Sequence, residues 1–116
     1  MKKYFAILAI GTFIAGCAQQ PAAITPVSMG DAYSTVSCSK ARQLYNAEAA
    51  KAPPLVKAQK QAVAGDAVGV FLLGIPVSSL SGDDLEGEIS TTKGKLLALS
   101  ARMETCGMTP APVDWS

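Results

Sequence analysis

The sequence predicts an all-α protein: an antiparallel helical hairpin with its first arm broken at Pro53-Pro54 and an apolar tip between the arms. Three observations predict it. From residue 17 onward, alanine supplies 16 of 100 residues and the aromatics fall to Tyr33, Tyr45, Phe71 and Trp115, a composition that favours helix over sheet. Residues 38–106 are bounded by a cysteine at each end, and their midpoint, residue 72, lies in the most apolar stretch of this part of the chain. The arm that follows the midpoint carries a sustained heptad pattern.

In chain order, residues 1–16 come first. Met1-Lys2-Lys3 is a charged start, Tyr4 to Ala15 is a twelve-residue apolar run too short to cross a bilayer comfortably, and Gly16-Cys17 follows. This is the form of a secretory signal peptide. Its last four residues, Ile14-Ala15-Gly16-Cys17, resemble the lipobox of bacterial lipoproteins. The resemblance implies cleavage before Cys17, a diacylglyceryl thioether on its sulfur, and acylation of the new amino group with a fatty acid such as palmitate. Several acyl chains on one residue anchor stably where a single chain binds only marginally. In Gram-negative lipoproteins an aspartate after the cysteine favours inner-membrane retention. Ala18 stands there in this sequence, so the resemblance implies the outer membrane, facing the periplasm.

With Cys17 committed to lipid, Cys38 and Cys106 are the two cysteines left, and an oxidising periplasm permits them to pair across the open end of the hairpin. Removing residues 1–16 leaves eight Lys+Arg against nine Asp+Glu. The expected organisation is a signal peptide over 1–16, a lipid-anchored flexible tether over 17–36, the stapled hairpin over 37–106 and an irregular tail over 107–116. Prolines, small residues and the lack of periodicity suggest the tether, which reaches roughly 60 Å when extended.

The first arm has a weak seam: Cys38, Ala41, Tyr45, Ala49, Ala52, Val56, Gln59 and Val63. Pro53-Pro54 interrupts it, because proline lacks a backbone donor and clashes with the preceding turn, so helices near 37–52 and 54–68 are expected. At the tip, Gly69, Gly74 and Pro76 suggest a turn or re-entrant corner rather than a continuous helix. The second arm places Leu85, Ile89, Thr92, Leu96, Leu99, Met103 and Cys106 on one face at spacings of four and three. Ser81 and Asp84 form a possible capping box, the acidic run Asp83, Asp84, Glu86, Glu88 suits a helix N-terminus, and Arg102 and Gly107 mark its end. Gly87, Gly94 and Ala101 recur every seven residues on the opposite face. Another element could pack closely there, although a solvated face is the commoner arrangement.

Several function classes are disfavoured. The chain has no histidine, which removes Ser-His-Asp and Cys-His catalysis and ordinary zinc sites. A net charge of +1 argues against a nucleic-acid binder. Thr92-Lys93-Gly94-Lys95 lacks the strand-linked glycine loop of a phosphate site, and the acidic run does not match calcium-loop spacing. Gly65 and Gly69 make a lone G-x-x-x-G, weak on its own. No catalytic residue, metal, cofactor or small-molecule substrate is expected.

The chemistry that remains is apolar surface. Val68, Val70, Phe71, Leu72, Leu73, Ile75 and Val77 form the candidate interaction tip. They could cap the hairpin's own core, dock on an envelope protein, or insert shallowly into a membrane. Beyond the lipobox, the order of tether, Cys38, alanine-rich arm, Gly65-Asp66-Ala67-Val68-Gly69-Val70-Phe71-Leu72-Leu73-Gly74-Ile75-Pro76-Val77-Ser78-Ser79-Leu80, second arm and Cys106 resembles a group of small uncharacterised proteobacterial lipoproteins. That resemblance implies localisation and layout and transfers no catalytic residue. The expected function is a non-enzymatic envelope lipoprotein with a structural or protein-interaction role. A membrane-active accessory protein, whose tip contacts or perturbs a bilayer, is the alternative.

Overall fold

A computed structural model describes residues 18–73 and 85–116. Among the described residues, three α-helices follow a 3₁₀ turn at Pro21–Ala23: α1 over Cys38–Ala49, α2 over Ala52–Leu73 and α3 over Glu86–Thr105. There is no strand among the described residues. The fold is the expected all-α hairpin: α1 and α3 form the main packed pair, and Cys38 and Cys106 are joined by a disulfide with their Cα atoms 5.9 Å apart.

Helix α1 starts at Ser37, whose hydroxyl accepts from the Lys40 amide at 3.2 Å and so satisfies one of the unpaired first-turn donors. It ends three residues earlier than the expected residue 52. A helix continued through Pro53 would lose the bond to Ala49 and press the pyrrolidine ring on that carbonyl. Instead the chain turns at Ala50-Lys51, and both prolines fall in the first turn of α2, where an amide has no intrahelical partner anyway. The Leu55 amide bonds the Lys51 carbonyl at 3.2 Å.

The break also shifts the buried face. Ala52, Leu55, Gln59 and Ala62 are buried on α2, whereas Val56 and Val63 of the expected seam are only half-buried. The expected end of this helix near residue 68 is corrected as well, while the expected corner at Gly74 and Pro76 lies outside the described residues. Helix α2 continues through Gly65 and Gly69 to Leu73, because an isolated helical glycine costs only about 1 kcal/mol.

Helix α3 follows its heptad closely. Ile89, Thr92, Leu96, Leu99 and Met103 are buried, with Leu85 and Cys106 half-buried at its ends. Gly107, at φ +75°, ends it: the Gly107 amide bonds the Glu104 carbonyl and the Met108 amide the Met103 carbonyl, both at 3.0 Å. This is a Schellman arrangement, and the left-handed position selects glycine. The expected capping box at Ser81 and Asp84 lies outside the described residues.

Two core clusters result among the described residues. Ala41, Tyr45, Leu96, Leu99 and Met103 form one between α1 and α3; Ile24, Leu55 and Ile89 form the other where α2, α3 and the N-terminal segment meet. Trp115 packs against both. The tail is irregular, as expected, yet it is held down: the Tyr45 hydroxyl donates to the Ala111 carbonyl.

The flexible tether expected over 17–36 is the largest correction. Ala18, Pro21 and Ile24 are buried, and the segment lies as a strap along α3 and the first half of α2. Its backbone supplies the reason, since a loop survives burial only where its polar groups find partners. The Val27 amide donates to the Ser90 carbonyl at 3.1 Å, and the Ser90 hydroxyl donates to the Thr25 carbonyl at 2.6 Å. Farther along, the Arg102 Nε donates to the Val36 carbonyl at 2.7 Å.

Gly94 makes the strap's close approach possible. A Cβ there would stand 2.3 Å from the Val27 carbonyl oxygen and 2.7 Å from its Cγ2. The seven-residue glycine spacing therefore marks a packed face at Gly94, while Gly87 and Ala101 are exposed. Gly94→Ala is expected to destabilise the protein by about 1–2 kcal/mol, with overpacking outweighing the helix propensity gained. Gly87, whose Cβ would meet nothing within 4 Å, should respond oppositely, with Gly87→Ala neutral or up to about 1 kcal/mol stabilising. Thermal melts of the two variants check this; equal shifts would contradict the packing.

Candidate functional site

Besides Ser90 and Arg102, two buried side chains hold the strap by its backbone. Lys93 stands beside the α3 seam, one turn after Ile89, and is only 8% exposed. Its Nζ donates to the Pro21 carbonyl at 2.6 Å and the Ile24 carbonyl at 2.8 Å, and lies 5.2 Å from the centroid of the Trp115 ring. Two charge-assisted bonds and a cation–π contact thus replace much of the water a buried ammonium gives up. Desolvation still holds the Lys93 pKa below the ordinary lysine value.

Gln59, fully buried on α2, is the second. Its Nε2 donates to the Gln19 carbonyl at 2.9 Å and its Oε1 accepts from the Leu85 amide at 2.8 Å. One primary amide therefore joins the strap, α2 and the start of α3. It serves Leu85, the residue before α3, which has no side-chain cap of its own.

These contacts define a register. Val27 lies against Gly94 and bonds Ser90; Ile24 packs with Leu55 and Ile89; Gln19 bonds Gln59, which bonds Leu85. Moving back along the strap from Val27 to Gln19, the partners run toward the N-terminus of α3 and toward the C-terminus of α2. The start of the strap and the disulfide are consequently at opposite ends of the hairpin.

The candidate residues are distributed along this axis. Cys38 and Cys106 are bonded at one end. Val68, Val70, Phe71, Leu72 and Leu73 belong to the last turns of α2 at the other, while Cys17, Ile75 and Val77 lie outside the described residues. Between the ends, a groove of about 350 Å³ is lined by Tyr45, Lys93, Leu96, Leu97, Val113 and Trp115. The ammonium in its wall is occupied by the strap carbonyls and the indole, so Lys93 acts there as a clamp.

Comparison with protein-family models, with curated proteins and with solved structures finds no match for this chain. No group of three or more His, Cys, Asp or Glu is placed to hold a metal among the described residues, and no described helix is long and apolar enough to cross a membrane.

Sequence reasoning missed Lys93 and Gln59 as clamps. Gln59 was on the expected seam, where a polar residue in an apolar row hints at a buried bond. Lys93 gave no such hint beyond its place next to the seam.

Proposed function

We propose that the chain is a non-enzymatic lipoprotein of the cell envelope, anchored through Cys17 in the outer membrane on its periplasmic side, with a structural or interaction role exercised through its apolar segment around Val68 to Val77. The observation that carries this reading is the Cys38–Cys106 disulfide. Such bonds persist in oxidising compartments, and this one accounts for the two cysteines other than Cys17. An odd cysteine in an exported chain calls for a role of its own, and the Ile14-Ala15-Gly16 sequence before Cys17 supplies it. The absence of histidine and of any other evident activated nucleophile in the sequence supports a non-enzymatic role.

Mass analysis of the N-terminal peptide from protein purified out of bacterial membranes tests the anchor. The expected result is a chain beginning at Cys17 and carrying acyl groups, with Cys17→Ser leaving the signal segment uncleaved and unacylated. An unmodified Cys17 in the wild-type protein would overturn the reading.

A further inference from the structure

We infer that the C-terminal turns of α2 dock in the same lipid surface that holds Cys17, so that the protein meets its own membrane at two points. The inference rests on the lipoprotein reading of Cys17 and names what its apolar segment contacts.

The strap carries the argument. A free tether would let the hairpin stand away from the lipid in any orientation, but the residue after Cys17 is buried on the bundle: Ala18 is 8% exposed, and the neighbouring Gln19 is bonded to Gln59. A lipid on Cys17 therefore emerges from the folded body level with Gln59, at the end opposite the disulfide. The register of the strap shows α2 running past that level in the same direction. Fourteen more residues follow Gln59 before α2 ends at Leu73, a rise of about 21 Å.

The last seven of them, Ala67 to Leu73, carry no charge, and the nearest preceding charge is Asp66. Anchoring at Cys17 thus brings the most apolar helical turns among the described residues to the side where the bilayer lies. Their length, about 10 Å of helix, suits insertion to the depth of the headgroup and acyl boundary rather than a span. Around Gln59 the exposed Lys57 and Lys60 are offset by Glu86 and Glu88 at the start of α3. The local charge is balanced, and the apolar turns rather than anionic-lipid attraction supply the contact.

The test uses the full mature protein with its own acyl groups, reconstituted into vesicles of phosphatidylethanolamine and phosphatidylglycerol that contain a phospholipid with a photoactivatable diazirine in its acyl chain. Adducts are expected on residues 67–73 and not on α1, at equal yield when phosphatidylglycerol is replaced by a neutral lipid. Leu72→Asp should lose them while retaining the N-terminal acyl groups and the wild-type circular dichroism spectrum. Adducts confined to residues near Cys17 would overturn the inference, as would capture of a protein in place of lipid by a benzophenone amino acid placed at Phe71 in intact cells. The N-terminal mass of the same preparation separates the two readings: acylated protein without adducts on α2 refutes the second contact alone, and unacylated protein refutes the anchor.

Discussion

Breaking the Cys38–Cys106 disulfide is expected to cost about 4 kcal/mol, the loop-closure entropy of a cross-link 68 residues apart, and to lower the melting temperature by on the order of 20 °C. The bond ties the first residue of α1 to the residue after α3. Helix α1 has only 12 residues, too few to be stable alone, and of its side chains just Ala41 and Tyr45 are buried. The cross-link therefore adds to a packed face that rests on Ala41 and Tyr45, holding the start of α1 against the end of α3. Thermal denaturation followed by circular dichroism, comparing oxidised protein, reduced protein and the Cys38→Ser/Cys106→Ser variant, checks this. Coincident transitions would show that packing alone suffices.

Removing the Lys93 ammonium should have the next largest effect. Lys93→Met keeps most of the buried stem but leaves the Pro21 and Ile24 carbonyls without their donor and Trp115 without its cation. Two hydrogen bonds from a charged group, less the relief of no longer desolvating it, amount to about 3 kcal/mol. The loss should be local, freeing residues 18–27 before the helices unfold. The expected readout is rapid cleavage of this segment by a nonspecific protease, with the helical spectrum retained at low temperature. A strap as resistant as in the wild type would contradict the clamp.

Protonation adds a second signature. Because the Lys93 pKa is depressed in the folded state, the unfolded chain binds more protons between that depressed value and the ordinary lysine value. The Lys93 contribution to stability therefore rises with pH across that window. Wild type should gain on Lys93→Met as pH increases through it.

How much of this was legible in the sequence follows from what each part is held by. Helix α3 was readable because apolar side chains at heptad spacing face one partner, and Gly107 was readable because few residues other than glycine sit comfortably at its φ. The break before α2 was readable in kind but displaced, since prolines that cannot continue one helix can open the next. The strap was not readable. Its anchors are carbonyl oxygens of Gln19, Pro21, Ile24, Thr25 and Val36, which every residue possesses, and the donors that find them lie on α2 and α3. Gly94 left a trace as a seven-residue spacing, but that spacing does not distinguish a neighbour from solvent.

The contacts joining the two ends of the chain have nearly constant reach: 65 residues for Ser90 to Thr25, 66 for Arg102 to Val36 and for Tyr45 to Ala111, 68 for the disulfide, and 72 for Lys93 to Pro21. On the proposed export, N-terminus first, the strap is delivered earliest and completed last, since none of its α3 partners exists outside the membrane until Ile89 has emerged. During that interval Ala18 and its neighbours are exposed to any enzyme or sorting factor that must read them. Folding then closes over residue 18: on the proposed lipoprotein reading, a sorting step that depends on it has to finish before α3 arrives, or else work against the Lys93 clamp.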